Sequence, residues 1–399
     1  MEMRLKCSTL NDMTNEKLPK WDLESIYPSV TSPLFEDDIN AIYQKAEELK
    51  SKSADKNSSI LSILALYDEM ANIVENVGSY VYTSFSVNTT DRDVLAAMGK
   101  AEKAQTVASD ASTVMVHYLS QRTDEFSSPE LEPYALFLKE VKTEAEHMMS
   151  LEEEALANEM LQVSASAWSR LQESVTASIH DGDKTLTQLR GLAMDSDRSV
   201  RKDAYEREVK ILADNKTAIA AALNGVKGTA LLLEKRRGWK DPLDRSCNTA
   251  RISRKALSAL IEALEESLPI FRDYLKTKAK LLGLERLEWY DMFAPVGDAS
   301  MSFTFEEAKA LIIDAYSSFS PEVGAFIKNA LASHWVDPEA HEGKIGGAYD
   351  IFFPKKKESR VMMNWEGTYD SVSTLAHELG HAYHDSVVKN YPSSQRSYP

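Results

Sequence analysis

Two histidines and a glutamate near the carboxyl-terminal end of the sequence have the spacing of a metal-dependent hydrolytic centre. The motif is His377-Glu378-Leu379-Gly380-His381. On an α-helix, residues i and i+4 lie on one face, so both imidazoles can bind a single zinc ion. Glu378 lies between them and can accept a proton from a water molecule that the metal activates. The spacing predicts His377 and His381 as zinc ligands and Glu378 as the catalytic base.

The residues around the motif predict a helix that can hold these side chains. Apolar residues recur at steps of three and four from Val372 to Tyr383, after the candidate caps Asp370 and Ser371, which indicates a buried face. Gly380 is unfavourable inside a helix by about 1 kcal/mol relative to alanine. Either the close approach of another backbone or simple tolerance would explain it. The alternative, an amphipathic helix with surface histidines, leaves the spacing of the motif unexplained.

The predicted zinc site is incomplete in ligands. A catalytic site of this kind needs three protein ligands and an open position for water. After His381 the sequence contains no glutamate, and Asp385 and His384 are its remaining conventional ligands. Asp385 could support His381 without binding the metal. Ligation by Asp385 or His384 would place three ligands along one straight helix, which strains a tetrahedron. We therefore expect the third ligand beyond Pro399.

Several segments resemble oligoendopeptidase F and its thimet-oligopeptidase relatives. These segments are Leu18–Tyr27, Asp195–Tyr205, Arg236–Asp244, Gly346–Tyr349, Met362–Thr368 and Thr374–His384. They extend over nearly the whole chain, and those around the motif are the most specific.

The resemblance implies a mainly α-helical zinc metallopeptidase that cuts oligopeptides inside a deep channel. It assigns zinc binding to His377 and His381 and acid–base catalysis to Glu378. It also implies a glutamate as third ligand on a following helix, and a later histidine and tyrosine that stabilise the tetrahedral intermediate, all beyond Pro399. Ile345 departs from the pattern, because many relatives carry a basic residue there. The adjacent Lys344 is a candidate replacement.

The stretch Gly346–Trp365 predicts a small β-sheet or hairpin next to the zinc helix. Two strand-like runs flank a turn at Pro354–Lys357. An edge strand offers unpaired backbone groups to which an extended peptide can add, and glycines would let that peptide come close. The predicted substrate-binding residues are Gly346, Gly347, Ala348 and Tyr349. The alternative is an ordinary surface hairpin.

The rest of the chain predicts a mainly α, multi-helix metallopeptidase fold. Apolar stripes at helical spacing run from Phe35 to Ser174, as in a helical bundle. Val175–Leu189, with its Asp181-Gly182 turn signal, predicts a hairpin. We place a boundary there, between an N-terminal helical region, residues 1–190, and a catalytic region, residues 191–399. Further on, the pattern predicts one or two helices in Val200–Arg236 and another in Lys255–Leu282, interrupted near Pro269.

Composition restricts the partners of the protein. The formal net charge of −16 argues against nucleic acid as a ligand. Cys7 and Cys247 are the only cysteines, which excludes a disulfide framework or a cysteine-rich zinc site. Met1–Ser8 has no apolar core of the kind found in signal peptides, and no apolar run reaches the length of a membrane span. We expect a cytoplasmic protein whose partner is an oligopeptide substrate, with no nucleic acid and no membrane.

Two functions are compatible with these patterns. The first is a zinc-dependent endopeptidase that hydrolyses oligopeptides by metal-activated water, with Glu378 as general base. The second is a truncated, catalytically inactive peptide-binding remnant that lacks the third zinc ligand. Metal content and peptide cleavage would separate them.

Overall fold

The computed structural model describes residues 17–297 and 302–398. The predictions about Met1–Ser8 and Cys7 concern residues outside the described part. The α-helices are α1 Pro33–Ala54, α2 Ile60–Val87, α3 Arg92–Ser120, α4 Ala135–Glu146, α5 Leu151–Val163, α6 Ala165–Ser178, α7 Leu186–Gly191, α8 Arg198–Arg236, α9 Pro242–Thr249, α10 Arg254–Leu281, α11 Phe305–Phe319, α12 Pro321–Ala332, α13 Tyr369–Val388 and α14 Ser393–Arg396. The strands are β1 His180–Asp181, β2 Lys184–Thr185, β3 Val336–Asp337, β4 Tyr349–Phe353 and β5 Glu358–Met362. The predicted mainly α fold with a small sheet beside the motif helix is confirmed.

The described chain contains two large apolar cores. Helices α1, α2 and α3 pack side by side around residues such as Phe35, Ile42 and Leu64. Helices α11, α12 and α13 pack around a second set that includes Ile327 and Leu375. None of the helices in the described ranges combines the length and the apolar composition that a membrane span needs. The predicted boundary between residues 190 and 191 stays a prediction.

The sheet lies between these two cores. Its strand order is β3–β5–β4, with β3 parallel and β4 antiparallel to the central β5. Because side chains alternate along a strand, Phe353 of β4 packs in the first core and Val361 of β5 packs in the second. The sheet therefore joins the N-terminal bundle to the motif helix α13.

Two local predictions are wrong in detail. The hairpin predicted over Val175–Leu189 is reduced to the two-residue strands β1 and β2, because α6 continues to Ser178 and α7 begins at Leu186. Thr185 and Gln188 form a reciprocal capping box that starts α7, and this favours helix over strand.

The interruption predicted near Pro269 is also absent, since α10 runs unbroken from Arg254 to Leu281. Proline removes the bond to the carbonyl four residues earlier, here that of Glu265. Both residues are exposed, so water can satisfy that carbonyl.

Candidate metal and peptide site

Helix α13 is fixed in place at its start and along one face. The Thr368 side chain caps the helix by accepting a hydrogen bond from the Ser371 N–H at 3.1 Å. Leu375 and Leu379 are fully buried on the face that packs against the second core. The Tyr316 hydroxyl donates to the carbonyl of Ala376 at 2.8 Å. The segment that carries the motif is therefore held rigidly before any ligand binds.

Gly380 is explained by tolerance. A Cβ added there would lie 3.4 Å from the Tyr316 hydroxyl, which is an ordinary contact with a side chain. A close backbone approach, the other explanation considered, is not observed.

His377 and His381 converge on one point. Their Nε2 atoms lie 3.2 Å apart, the rings are nearly perpendicular at 85°, and both residues are exposed. Zn–N bonds of about 2.0–2.1 Å at a tetrahedral angle require about 3.3 Å between two ligating nitrogens. The pair therefore fits a zinc ion without rearrangement.

Glu378 occupies the buried side of the same helix turn, and its side chain is only 8% exposed. Burial raises the pKa of its carboxyl, while His377, His381 and a hydrogen bond from the backbone N–H of Asp350 act in the opposite direction. A carboxyl whose pKa is shifted upward toward neutral pH is better suited to accept and return a proton.

The structure brings together two candidate metal ligands, whereas a catalytic zinc site needs three. No group of three His, Cys, Asp or Glu side chains that could hold a metal occurs within residues 17–297 and 302–398. The His384 ring packs against Tyr398, with centroids 4.4 Å apart. The Asp385 carboxylate accepts a hydrogen bond from Ser359 Oγ at 2.9 Å.

The predicted support of His381 by Asp385 is not observed in the described structure. Asp385 lies seven residues after Glu378 and shares its buried face, whereas His381 is exposed. It instead shares a hydrogen bond with Asp350 of β4. Burial and this contact raise the pKa of the Asp350 carboxyl. Sequence reasoning missed this carboxyl pair because it joins residues on a strand and a distant helix.

The backbone N–H and C=O groups of successive β4 residues point alternately to the two edges of the strand. The N–H groups of Val361 and Met363 donate to the carbonyls of Trp335 and Asp337, on the side of β3. The alternate residue Met362 therefore faces β4, where it pairs with Tyr349. By the same alternation, the backbone N–H and C=O groups of Asp350 point away from β5, as do those of Ala348 and Phe352, two residues before and after it. On that free side, Asp350 contacts Glu378.

The open part of this edge is short. Ser79 Oγ donates to the carbonyl of Phe352 at 3.0 Å, which occupies the far end of the strand. The alternation points the N–H and C=O of Ala348 outward on the same side. Ala348, immediately before β4, is therefore the candidate position at which a peptide could add, and the exposed Gly346 and Gly347 precede it.

The predicted substrate residues have different settings. Gly346 and Gly347 are exposed, and Gly347 has φ of 90°, a conformation that favours glycine. Asn364 Nδ2 holds this loop by donating to the carbonyls of Ile345 and Gly347, each at 3.0 Å. The Tyr349 hydroxyl is turned away, toward α2.

Lys344 does not replace the basic residue that the resemblance leads one to expect before the glycines. It is buried, and its ammonium group donates to the Asp337 carboxylate at 2.6 Å. It also donates to the carbonyls of Asp337 and Glu339. This lysine therefore stabilises the loop and is not free to bind a ligand.

A cavity of about 350 Å³ lies beside the open edge. Gly347 and Ala348 form one wall, Thr374 of α13 contributes to another, and Glu366 and Gly191 also line it. A second cavity of about 350 Å³, with aromatic side chains from Tyr205 and Trp289, shares lining residues with the first. Together they form a cleft that leads to the motif helix.

The chain is similar to known peptidases over most of its length. The family described as "Peptidase family M3" matches residues 192–399, and "Oligopeptidase F" matches residues 121–180. Oligopeptidase PepF of Bacillus subtilis is 26% identical over 411 residues, which cover 97% of this chain and 60% of the relative. Group B oligopeptidase PepB of Streptococcus agalactiae is 24% identical over 401 residues, which cover 94% and 65%. The chain thus spans less than two thirds of the length of these curated relatives.

Solved structures show the same fold. PZ peptidase A with an inhibitor has a TM-score of 0.66 at 18% identity, over 95% of this chain and 66% of that one. Oligoendopeptidase F from Enterococcus faecium has a TM-score of 0.56 at 18% identity, over 74% and 61%. The M3 match covers more than half of the sequence and includes the histidine pair, and the chain belongs to peptidase family M3.

Proposed function

We propose that this chain carries the zinc-binding and proton-transferring part of an endopeptidase that acts on oligopeptides. The observation that carries the proposal is the pair of Nε2 atoms of His377 and His381, 3.2 Å apart, next to the buried carboxyl of Glu378. Membership of peptidase family M3 and the peptidase names of the relatives support it.

The roles of the residues follow from their positions. His377 and His381 would hold zinc, and the third ligand would come from a residue outside the described ranges. When bound there, zinc would supply an activated water molecule and a Lewis acid for a peptide carbonyl. Glu378 accepts the proton of the attacking water and passes it to the leaving amine, which contributes about 10²–10⁴-fold to the rate. Backbone groups of Gly346–Ala348 hold the peptide extended.

One observation favours a second candidate, a peptide-binding protein without hydrolytic activity. The described residues provide two metal ligands rather than three, while the open edge and the cleft are intact. Such a protein would bind oligopeptides and leave them uncut.

The test compares the full-length protein with its Glu378→Gln variant. Both should contain equal zinc by metal analysis, because Glu378 is not a ligand, and the variant should cleave a fluorogenic oligopeptide about 10²–10⁴-fold more slowly. Near-normal turnover by the variant would contradict the role of Glu378. Peptide binding by a zinc-loaded wild type that leaves the peptide intact would support the second candidate. The cytoplasmic location is retained as a prediction, which cell fractionation tests.

A further inference from the structure

Glu366 is a carboxyl that the mechanism does not use, and it lies in the cleft next to the motif helix. Its backbone N–H donates to Ser371 Oγ at 3.1 Å, which ties it to the first turn of α13. Its side chain lines the same cavity as Gly347, Ala348 and Thr374. Thr374 precedes His377 by three residues, so the cavity borders the helical turn before the first predicted metal ligand.

One oxygen of the Glu366 carboxyl lacks a partner among the described residues. Its Oε1 atom is buried and accepts no hydrogen bond from the described residues. Burial raises the pKa of this carboxyl to about 7, and the charge of Lys184 acts in the opposite direction. An unpaired carboxyl in such a setting is unfavourable for the folded protein. Groups of this kind occur often at binding sites, where a ligand supplies the missing partner.

The neighbouring charged groups leave room for an incoming cation. Arg190 lines the cavity, but its guanidinium pairs with Glu208 at 2.7 Å. Lys184 forms no ion pair with Glu366 in the described structure, although it is close enough to influence it. Asp370 also lines the cavity, but it is exposed at the rim, where water screens its charge.

Gly191 on α7 leaves space for the Glu366 carboxyl group. A Cβ added to Gly191 would lie 2.8 Å from Glu366 Oε2, which is closer than real Cβ contacts. The absence of a side chain at Gly191 therefore allows α7 to pass next to the carboxylate. Gly347 and Ala348, next to the candidate position for peptide addition, line the same cavity.

We propose that Glu366 is a specificity-determining residue, whose carboxylate binds an ammonium or guanidinium group of a peptide that lies along Gly346–Ala348. This inference rests on the proposed function, since the peptide is the substrate. A lysine or arginine side chain and a free peptide amino terminus offer the same chemistry, and the experiment must distinguish these two sources.

The experiment measures binding, so that its result does not depend on hydrolysis. Metal-free protein is titrated by fluorescence anisotropy with neutral decapeptides labelled at the carboxyl terminus. One lysine is moved through each position, with norleucine as the uncharged reference, and every peptide is prepared with a free and an acetylated amino terminus. A charge-assisted contact predicts at least about tenfold tighter binding for the lysine peptide at one position.

The Glu366→Gln variant, which keeps the shape of the side chain, should bind the lysine and norleucine peptides equally. Glu366→Asp should retain part of the preference, and it serves as a second variant if Glu366→Gln does not fold. The matched control is Asp370→Asn, which removes a negative charge from the rim and should leave the lysine preference within about twofold, since exposed pairs contribute little.

Each result has one meaning. If replacing lysine with norleucine lowers the affinity, the group that binds Glu366 is the lysine side chain. If acetylation lowers the affinity, the group is the peptide amino terminus. Equal binding of all peptides by the wild type, or a lysine preference that survives in Glu366→Gln, overturns the inference. A lysine preference in a protein that never hydrolyses peptides supports the role of Glu366 and contradicts the proposed function. A protein that hydrolyses peptides without any charge preference supports the proposed function and contradicts the role of Glu366.

Discussion

The indole of Trp168 on α6 lies against Gly225 on α8, so closely that a Cβ at this glycine would overlap the ring. Gly228, three residues further along α8, has no heavy atom within 4 Å of the same hypothetical Cβ. The two glycines therefore have different roles in one helix.

This contact predicts opposite effects for two identical substitutions. Gly225→Ala should lower the free energy of unfolding by about 1–3 kcal/mol, because the indole must move from a packed position. Gly228→Ala should raise it by up to about 1 kcal/mol through helix propensity. Urea denaturation followed by circular dichroism measures both, and a Gly225→Ala variant as stable as Gly228→Ala would show that Trp168 does not constrain this position.

Glu366 should make stability depend on pH. Its pKa is raised by burial from 4.5 to about 7, so the folded state holds the proton more tightly than the unfolded state. The resulting stabilisation is complete below pH 4.5 and is lost as pH rises through about 7. The free energy of unfolding of Glu366→Gln, measured by urea denaturation, should therefore rise by about 2–3 kcal/mol relative to that of the wild type as pH increases from 5 to 8. A difference that stays constant over this range would contradict the raised pKa.

Zinc affinity should depend on the two histidines of the motif. The polypeptide of residues 1–399 should bind zinc at least about 10–100-fold more weakly than a three-ligand site, since losing a supporting group alone has an effect of that size. Competition with a chromogenic chelator measures the affinity. His377→Ala and His381→Ala should abolish it, while the control His384→Ala should not change it.

One outcome would contradict the two-ligand arrangement. Stoichiometric, chelator-resistant zinc together with strong peptide cleavage by residues 1–399 would require a third ligand in this polypeptide. Asp385→Asn and His384→Ala would then show which of the two residues supplies it.

Tyr349 should act as a structural anchor. Its hydroxyl forms a hydrogen bond with Ser86 Oγ at 2.6 Å, and its ring packs against Tyr82 with centroids 5.4 Å apart. Tyr349→Phe and Ser86→Ala should each lower the free energy of unfolding by about 0.5–1.5 kcal/mol. The double variant should lose less unfolding free energy than the sum of the two single losses, because both substitutions remove the same hydrogen bond.

The same variant also tests whether the Tyr349 side chain binds substrate. Tyr349→Phe should bind oligopeptides as tightly as wild type, because its hydroxyl points to α2 and away from the cleft. A loss of peptide affinity with unchanged stability would show that the hydroxyl contacts the substrate.

Features with a local cause could be predicted from the sequence. The convergence of His377 and His381 follows from helix geometry alone, and the β4–β5 hairpin follows from alternation around a turn. The strand β3 was missed because it has two residues and pairs in parallel with β5 from a distant position. The role proposed for Asp385 was wrong because it treated one turn of helix as one face, whereas His381 is exposed and Asp385 is buried.

The sequence also could not reveal the buried, unpaired carboxyl of Glu366. That state depends on α7, whose Gly191 is far away in the chain and meets Glu366 only in the folded protein. The same holds for the length of the open edge, which Glu378 and Ser79 limit from two other helices.

The contact between Asp350 and Glu378 fixes the distance along the chain between Ala348 and the proposed base. The proposed docking point, Ala348, directly precedes β4, and Asp350, the residue that touches the base, lies two positions further along, or about 6.6 Å in an extended chain. In the proposed peptidase, a peptide added at Ala348 would inherit that spacing, so the bond presented to Glu378 would be set by counting along the backbone from Ala348. Side-chain pockets would then select which peptides bind, while the strand would set the position of the cut.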